Sequence, residues 1–170
     1  QLIARYRRGV ENFEKRVFWL TGEQVDRAFL PEAGVGRWSV RVLLGHLADA
    51  EIANTHRIRR AVAEDGPVFA LWDENAFIDS GVYGVSANAG GQGQGTATPP
   101  ANALSVGGFV AVVHTLRQFM TEFLRTLTSE QWERRSMHPE RGEQTVRRLV
   151  AANIWHLEHH ARFLKQKVDL

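Results

Sequence analysis

The chain contains no cysteine among its 170 residues. Disulfides, thiolate catalysis and cysteine-ligated zinc are thereby excluded, which leaves histidine and carboxylate as the strong ligands for a transition metal. Also missing is any run near the roughly 18 apolar residues that a membrane-spanning helix needs. No secretory leader is expected, because Gln1-Leu-Ile-Ala-Arg-Tyr-Arg-Arg8 carries charges where an apolar region belongs. Nor does one sign of charge dominate: 21 Lys+Arg against 19 Asp+Glu give a net +2. Arginines cluster at Arg57/Arg59/Arg60, Arg134/Arg135 and Arg147/Arg148, but acids or apolar residues interleave them. Solvated helix faces account for such clusters, and the electrostatic footprint for specific nucleic-acid binding is weak. With 44% hydrophobic and 24% charged residues, the expectation is one globular domain over 1–170, long enough to bury a substantial core, and the absence of disulfides fits a cytoplasmic location.

What is present is helical periodicity. Ile3, Tyr6, Val10, Phe13, Val17 and Leu20 recur at three and four, predicting an amphipathic helix over 3–19. Thr21-Gly-Glu-Gln24 reads as a capping box opening a short helix toward Leu30, stopped by Pro31. Ser39 is a good N-cap for a long helix through Leu43, Leu47, Ala50, Ile58 and Ala61, ending before Gly66-Pro67. Residues 71–78 add a helical turn or two. Residues 86–100 are Gly-rich with two prolines and offer nothing to pack, so they read as a flexible surface loop, either a lid or a tolerated insertion. Periodicity resumes at Leu104 or Ser105 and runs to Leu127. A second capping box, Thr128-Ser-Glu-Gln131, precedes a short helix at Trp132 and a turn-rich segment in which 134–144 can pair in extended form. Thr145 then caps a last long helix toward Val168. Four long amphipathic helices with short accessory ones predict an all-α four-helix bundle. The tryptophans read by default as plugs of helix ends and interfaces, with Trp19 joining the first helix to the core; an aromatic wall for a ligand pocket is the alternative.

Three histidines carry the chemistry. His156 and His160 lie four apart, which stacks two imidazoles on one helix face. Val146, Val150, Leu157, Ala161, Leu164 and Val168 form the core stripe of that helix. His160 lies about 60° and His156 about 100° from Leu157 on the same flank, whereas His159 falls about 160° away, toward solvent. On the second long helix His46 is displaced by roughly 80–90° from the stripe, with Val42, Asp49 and Ala53 on its flank. Asp49, one turn from His46, is placed to accept an imidazole N–H, orient a water or ligate. Small Ala53 and Gly45 leave room for a ligand or for close helix approach. Spacing alone fits both a three-imidazole metal site with open positions and ordinary packing at the core margin. His56 and His114 read as surface or packing residues, and His138 as a loop residue before Pro139.

Longer motifs bear on that choice. Gly36-Arg-Trp-Ser-Val-Arg-Val-Leu-Leu-Gly-His-Leu-Ala-Asp-Ala-Glu51 resembles the first signature of the DinB/YfiT-like family of metalloenzymes. His138-Pro-Glu, Thr145-Val-Arg-Arg-Leu-Val150 and His156-Leu-Glu-His-His160 resemble its second, and Trp72-Asp-Glu-Asn75 is similar to the segment after its second helix. The Gly-rich stretch 86–100 departs from the usual pattern. The resemblance implies a bundle running up-down-down-up, often paired as a homodimer, with a divalent ion on His46, His156 and His160. Zinc or nickel is the usual ion in that family, with iron also used. Characterised relatives include transferases and isomerases that use a low-molecular-weight thiol such as bacillithiol, mycothiol or glutathione. The expected function is therefore metal-dependent thiol transfer or hydrolysis on a small-molecule substrate; a non-catalytic metal-binding bundle is the alternative. Three neutral imidazoles leave a bound ion's charge uncompensated, which acidifies bound water or thiol. Asp49 is the expected proton acceptor, since Glu158 lies on the wrong flank. No polymerase-like acidic constellation, Ser-His-Asp pattern or phosphate-binding glycine loop competes.

Overall fold

The computed structural model describes residues 1–26, 38–84 and 104–169. Where periodicity predicts one continuous first helix, the chain bends. Helix α1 (Leu2–Arg8) stops at Gly9, and 3-10 turns over Gly9–Asn12 and Lys15–Trp19 continue its path. Gly9 takes φ 40°, and a Cβ there would meet Arg117 Cδ at 2.7 Å. Left-handed backbone and a packed arginine both demand glycine at this point. Tyr6, Phe13 and Val17 still reach the core, but Trp19 is 75% exposed and does not join it. The tighter winding of the 3-10 turns rotates it off the apolar face.

The remaining elements start where their caps predict. The box at Thr21 opens α2 (Gly22–Asp26), with Gln24 Oε1 accepting from the Thr21 N–H at 2.8 Å. Its expected run to Leu30 and Pro31 lies outside the described residues, as does the stretch 86–100. Ser39 Oγ accepts from the Val42 N–H and starts α3 (Val40–Ala63). After α4 (Glu74–Asp79), Ser105 caps α5 (Val106–Thr126), and the Thr128–Gln131 box caps α6 (Ser129–Trp132). Strands β1 (Arg135–His138) and β2 (Gly142–Thr145) form an antiparallel hairpin, in register from Arg135 opposite Thr145 to His138 opposite Gly142. Thr145 caps α7 (Val146–Val168).

Core membership gives the helix directions. One apolar cluster joins Phe13 and Val17, the first half of α3, the start of α5 and the end of α7. A second joins Tyr6, the end of α3, the end of α5 and the start of α7. The α1 segment and α7 therefore run one way, α3 and α5 the other, which is the up-down-down-up order of an all-α four-helix bundle. Because α3 and α5 are parallel, the chain between them must return along a helix of 24 residues, about 36 Å long. That return path brings Trp72, Glu74 and Tyr83 to the first half of α3. Among the described residues no helix is long and apolar enough to cross a membrane.

Between the two apolar clusters lies a closed polar network that the sequence reading does not anticipate. Arg117 is 1% exposed. Its guanidinium donates to Glu51 Oε2 at 2.9 Å, to the Tyr6 carbonyl at 3.0 Å and to the Asn153 carbonyl at 3.1 Å. Glu51 Oε1 accepts from the Tyr6 hydroxyl at 2.6 Å and from Asn153 Nδ2 at 3.1 Å. Every charged atom here has a partner, the condition under which a buried ion pair is tolerated. Elsewhere the arginines are mostly tied to their neighbours. Arg60 pairs with Glu64, Arg147 pairs with Glu133, and Arg134 donates to the Ala61 and Glu64 carbonyls.

Candidate functional site

His46 comes from the first half of α3, His156 from the middle of α7 and His160 from its second half. Their helices run antiparallel, so these stretches face each other in one layer of the bundle. The three histidines each offer a ring nitrogen, and these nitrogens all lie within 4.8 Å of one another. His46 Nε2 and His156 Nε2 are 3.1 Å apart. Two imidazoles on one tetrahedral ion are separated by about 3.4 Å, given metal–nitrogen bonds of roughly 2.0–2.1 Å. The trio is thus spaced for a shared ion with little movement. His159 points away and stacks on Trp155 with ring centroids 4.9 Å apart.

The surroundings keep the imidazoles neutral. His46 is 1% exposed, and burial lowers its pKa to about 4. His156 falls to about 3, by burial first and then by the adjacent His160 and His46, with Arg117 and Arg141 adding to the effect. His160 also falls to about 3, again by burial first and then through His46, His159 and Lys167. A neutral ring nitrogen is the form that binds metal. His46 Nδ1 is buried without a hydrogen-bond partner. The nearest carboxylate to it is Glu74, with Oε2 at 3.7 Å from Nδ1. Three neutral imidazoles facing one point fit a divalent ion: each has one unprotonated nitrogen to offer, and His46 Nδ1 lies on the Glu74 side, where a ligating histidine usually sends its other nitrogen to a carboxylate.

Trp38 and Trp72 wall this site rather than plug helix ends. Trp38 lies 4.9 Å from the His46 ring and 6.1 Å from His160, and Trp72 stacks on His46 at 5.4 Å. Trp155, by contrast, is 62% exposed. The stripe arithmetic had nothing to say about Trp72, because the residue arrives on the return path rather than on a helix. Asp49 is not among the groups within 4 Å of a described histidine nitrogen. It sits beside Tyr83 instead: burial raises its pKa, and the Tyr83 hydroxyl opposes that rise. The same hydroxyl is buried with no partner at hydrogen-bonding distance. Gly45 does serve close approach, but the occupant is the Tyr83 ring, whose Cδ1 would lie 2.3 Å from a Cβ at that position. His138 is no loop residue. It ends β1, is 6% exposed, and accepts from the Glu140 and Arg141 N–H groups through Nδ1. Hairpin pairing draws it inward, a long-range effect that the local Pro139 signal hides.

A model of the DinB superfamily matches residues 5–164 of the chain. This protein belongs to the DinB superfamily. YfiT of Bacillus subtilis, named as an inferred metal-dependent hydrolase, is 28% identical over 142 residues, covering 83% of this chain and 67% of its own. A protein of Oceanobacillus iheyensis with the same kind of name is 24% identical over 141 residues, covering 83% of this chain and 69% of its own. The solved structure of YfiT, described as a probable metal-dependent hydrolase with an unusual four-helix bundle topology, superposes with a TM-score of 0.76. It is 22% identical and covers 99% of this chain and 84% of its own, a likeness that carries the fold. The DinB resemblance and the four-helix bundle read from the sequence therefore stand.

Proposed function

We propose that His46, His156 and His160 hold a divalent metal ion and that the protein is a metal-dependent hydrolase acting on a small molecule. One observation carries this reading: three neutral imidazoles bring ring nitrogens within 4.8 Å of one another at a desolvated point of the bundle. The names of the relatives support the same class. A bound ion supplies Lewis acidity, bringing the pKa of water, or of a low-molecular-weight thiol in the finer reading, toward neutrality. Imidazole-only ligation suits zinc, nickel and iron alike.

The chain's own residues supply the rest. Glu74, 3.7 Å from His46 Nδ1, is the carboxylate placed to accept that nitrogen's proton once an ion is held, which would fix the tautomer. Trp38 and Trp72 exclude water from one side and hold the His46 ring between them. Asp49, raised by burial, holds or releases a proton one turn from His46. The test is elemental analysis of the purified protein and of a His156→Ala variant, with hydrolysis of an activated ester as the activity readout. A stoichiometric ion that is lost in the variant without unfolding, together with hydrolysis that a chelator abolishes, is the expected result. A wild type that holds no stoichiometric ion even after reconstitution overturns the proposal.

A further inference from the structure

Further along α3 from the histidines, where the hairpin packs, Arg57, His138 and Arg141 lie near one another. Arg57 follows His46 by three turns and returns to within roughly 20° of the same face of α3. Its Nη2 donates to the Ala70 carbonyl at 3.0 Å, and its guanidinium lies 5.8 Å from the centre of the Phe69 ring. Ala70 belongs to the return path, which is laid along β1: the Phe69 N–H donates to the Met137 carbonyl at 3.0 Å, and the Met137 N–H to the Pro67 carbonyl at 2.9 Å. Two residues after Ala70, Trp72 stacks on His46. The next residue of β1 after Met137 is His138. Its Nδ1 accepts backbone N–H groups from Glu140 at 3.2 Å and Arg141 at 3.3 Å, which makes Nε2 the ring's donor. No acceptor meets that donor among the described residues.

Arg141 stands in the hairpin turn beside these groups. Its charge reaches Arg57, His138 and His156: after burial, it is among the causes that lower the pKa of each. Among the described residues neither Arg57 nor Arg141 forms an ion pair. Glu140 is the acidic group whose charge reaches His138. Two guanidiniums and a ring N–H within electrostatic reach of one another, with one acid near them, disfavour one another, and a bound anion would offset that repulsion. The wide surface groove of about 510 Å³ between Phe13 and Lys165 carries Lys15, Arg162 and Lys165 but mixes them with the acids Glu14 and Glu158. Its Glu14, Glu158 and Lys165 are already paired with Arg16, Arg5 and Asp169.

We propose that Arg57, Arg141 and the His138 Nε2–H form an anion-binding subsite that receives a carboxylate or phosphate group of the substrate. The inference rests on the hydrolase reading, because the histidine trio is where the remainder of such a substrate would lie. Guanidinium binds both oxyanions through paired N–H donors, and a charge held far from the reacting atoms orients the substrate. The experiment uses chelator-treated wild type, Arg57→Gln and Arg141→Gln, titrated with inorganic phosphate and with succinate. Saturable binding of at least one anion by wild type, weakened about tenfold or more in both variants and by added salt, is expected. The anion that binds more tightly identifies the group. Absence of saturable binding for both anions, or equal binding by wild type and Arg141→Gln, overturns the subsite. Because Arg141 is exposed, its variant keeps the fold, and circular dichroism checks this for Arg57→Gln. Metal content is measured on the same preparations before chelation. Stoichiometric metal without anion binding sinks the subsite alone, whereas anion binding in a protein that holds no metal sinks the hydrolase reading alone.

Discussion

Glu51 and Asn153 sit on the same two helices as His46 and His156, about one turn away in each case, yet the two groups are built in opposite ways. Around Arg117 the charged atoms are all met: three guanidinium nitrogens and both Glu51 oxygens have partners within 3.3 Å, although the buried hydroxyls of Thr55 and Thr121 have none. Around His46 one buried nitrogen has none, and three imidazoles sit with their pKa values driven to about 4 or below. A saturated polar group stabilises a fold only if it stays saturated. Three ring nitrogens turned toward one point with no proton-donating cation among them are instead open to a ligand.

The largest effect that breaks the contrast comes from the saturated side. Arg117→Met leaves Glu51 buried and unpaired and is expected to cost about 3–5 kcal/mol in urea unfolding. A loss below about 1 kcal/mol would mean that the network is not holding the two apolar clusters together. Next comes a pair of alanine variants one turn apart on α7. Asn153→Ala strips partners from both Glu51 and Arg117 and should cost about 2 kcal/mol, since buried partners are left unmet. His156→Ala should cost the metal-free protein clearly less, because it removes a group that burial penalises. Equal losses would erase the distinction drawn here.

Much of this was legible in the sequence, and the limits have physical causes. Caps at Ser39, Thr128 and Thr145 are local chemistry and mark the helix starts to the residue. Wheel arithmetic separates His160 from His159, because side-chain direction follows from the helix alone. The break at Gly9 escapes it, since the glycine is required by Arg117 on another helix. The polar network was in reach: Glu51 falls one turn after Leu47 and Arg117 one turn after Val113, each a charge on an apolar stripe. Trp72 and Glu74 are legible in the sequence only as part of a family-like segment. Their place against His46 follows from the parallel pairing of α3 and α5, which no local pattern encodes.

The imidazole side makes a pH prediction of intermediate size. In the metal-free protein the three folded pKa values lie at about 4, 3 and 3, below the 6.5 of an unfolded histidine. Below pH ~6.5 the unfolded chain therefore binds protons that the folded chain refuses, and stability falls with pH. Each such histidine adds about 1.4 kcal/mol per pH unit once it is protonated only in the unfolded state. His156→Ala should flatten the decline between pH 6 and pH 4.5 by about that slope, as read from urea midpoints. An unchanged slope would show that the ring is not held neutral.

The smallest effect tests whether the site needs its helix cap. Ser39→Ala removes the side-chain acceptor for the Val42 N–H and should cost about 1 kcal/mol. Trp38, immediately before the cap, has a separate anchor: Lys167 Nζ donates to its carbonyl at 2.7 Å. That bond joins the start of α3 to the end of α7, the same two elements that carry the histidines. The variant should therefore lose stability while keeping metal affinity and tryptophan fluorescence close to wild type. If affinity falls along with stability, the Trp38 wall depends on the cap, and the ligand end of the bundle is less rigidly held than its geometry implies.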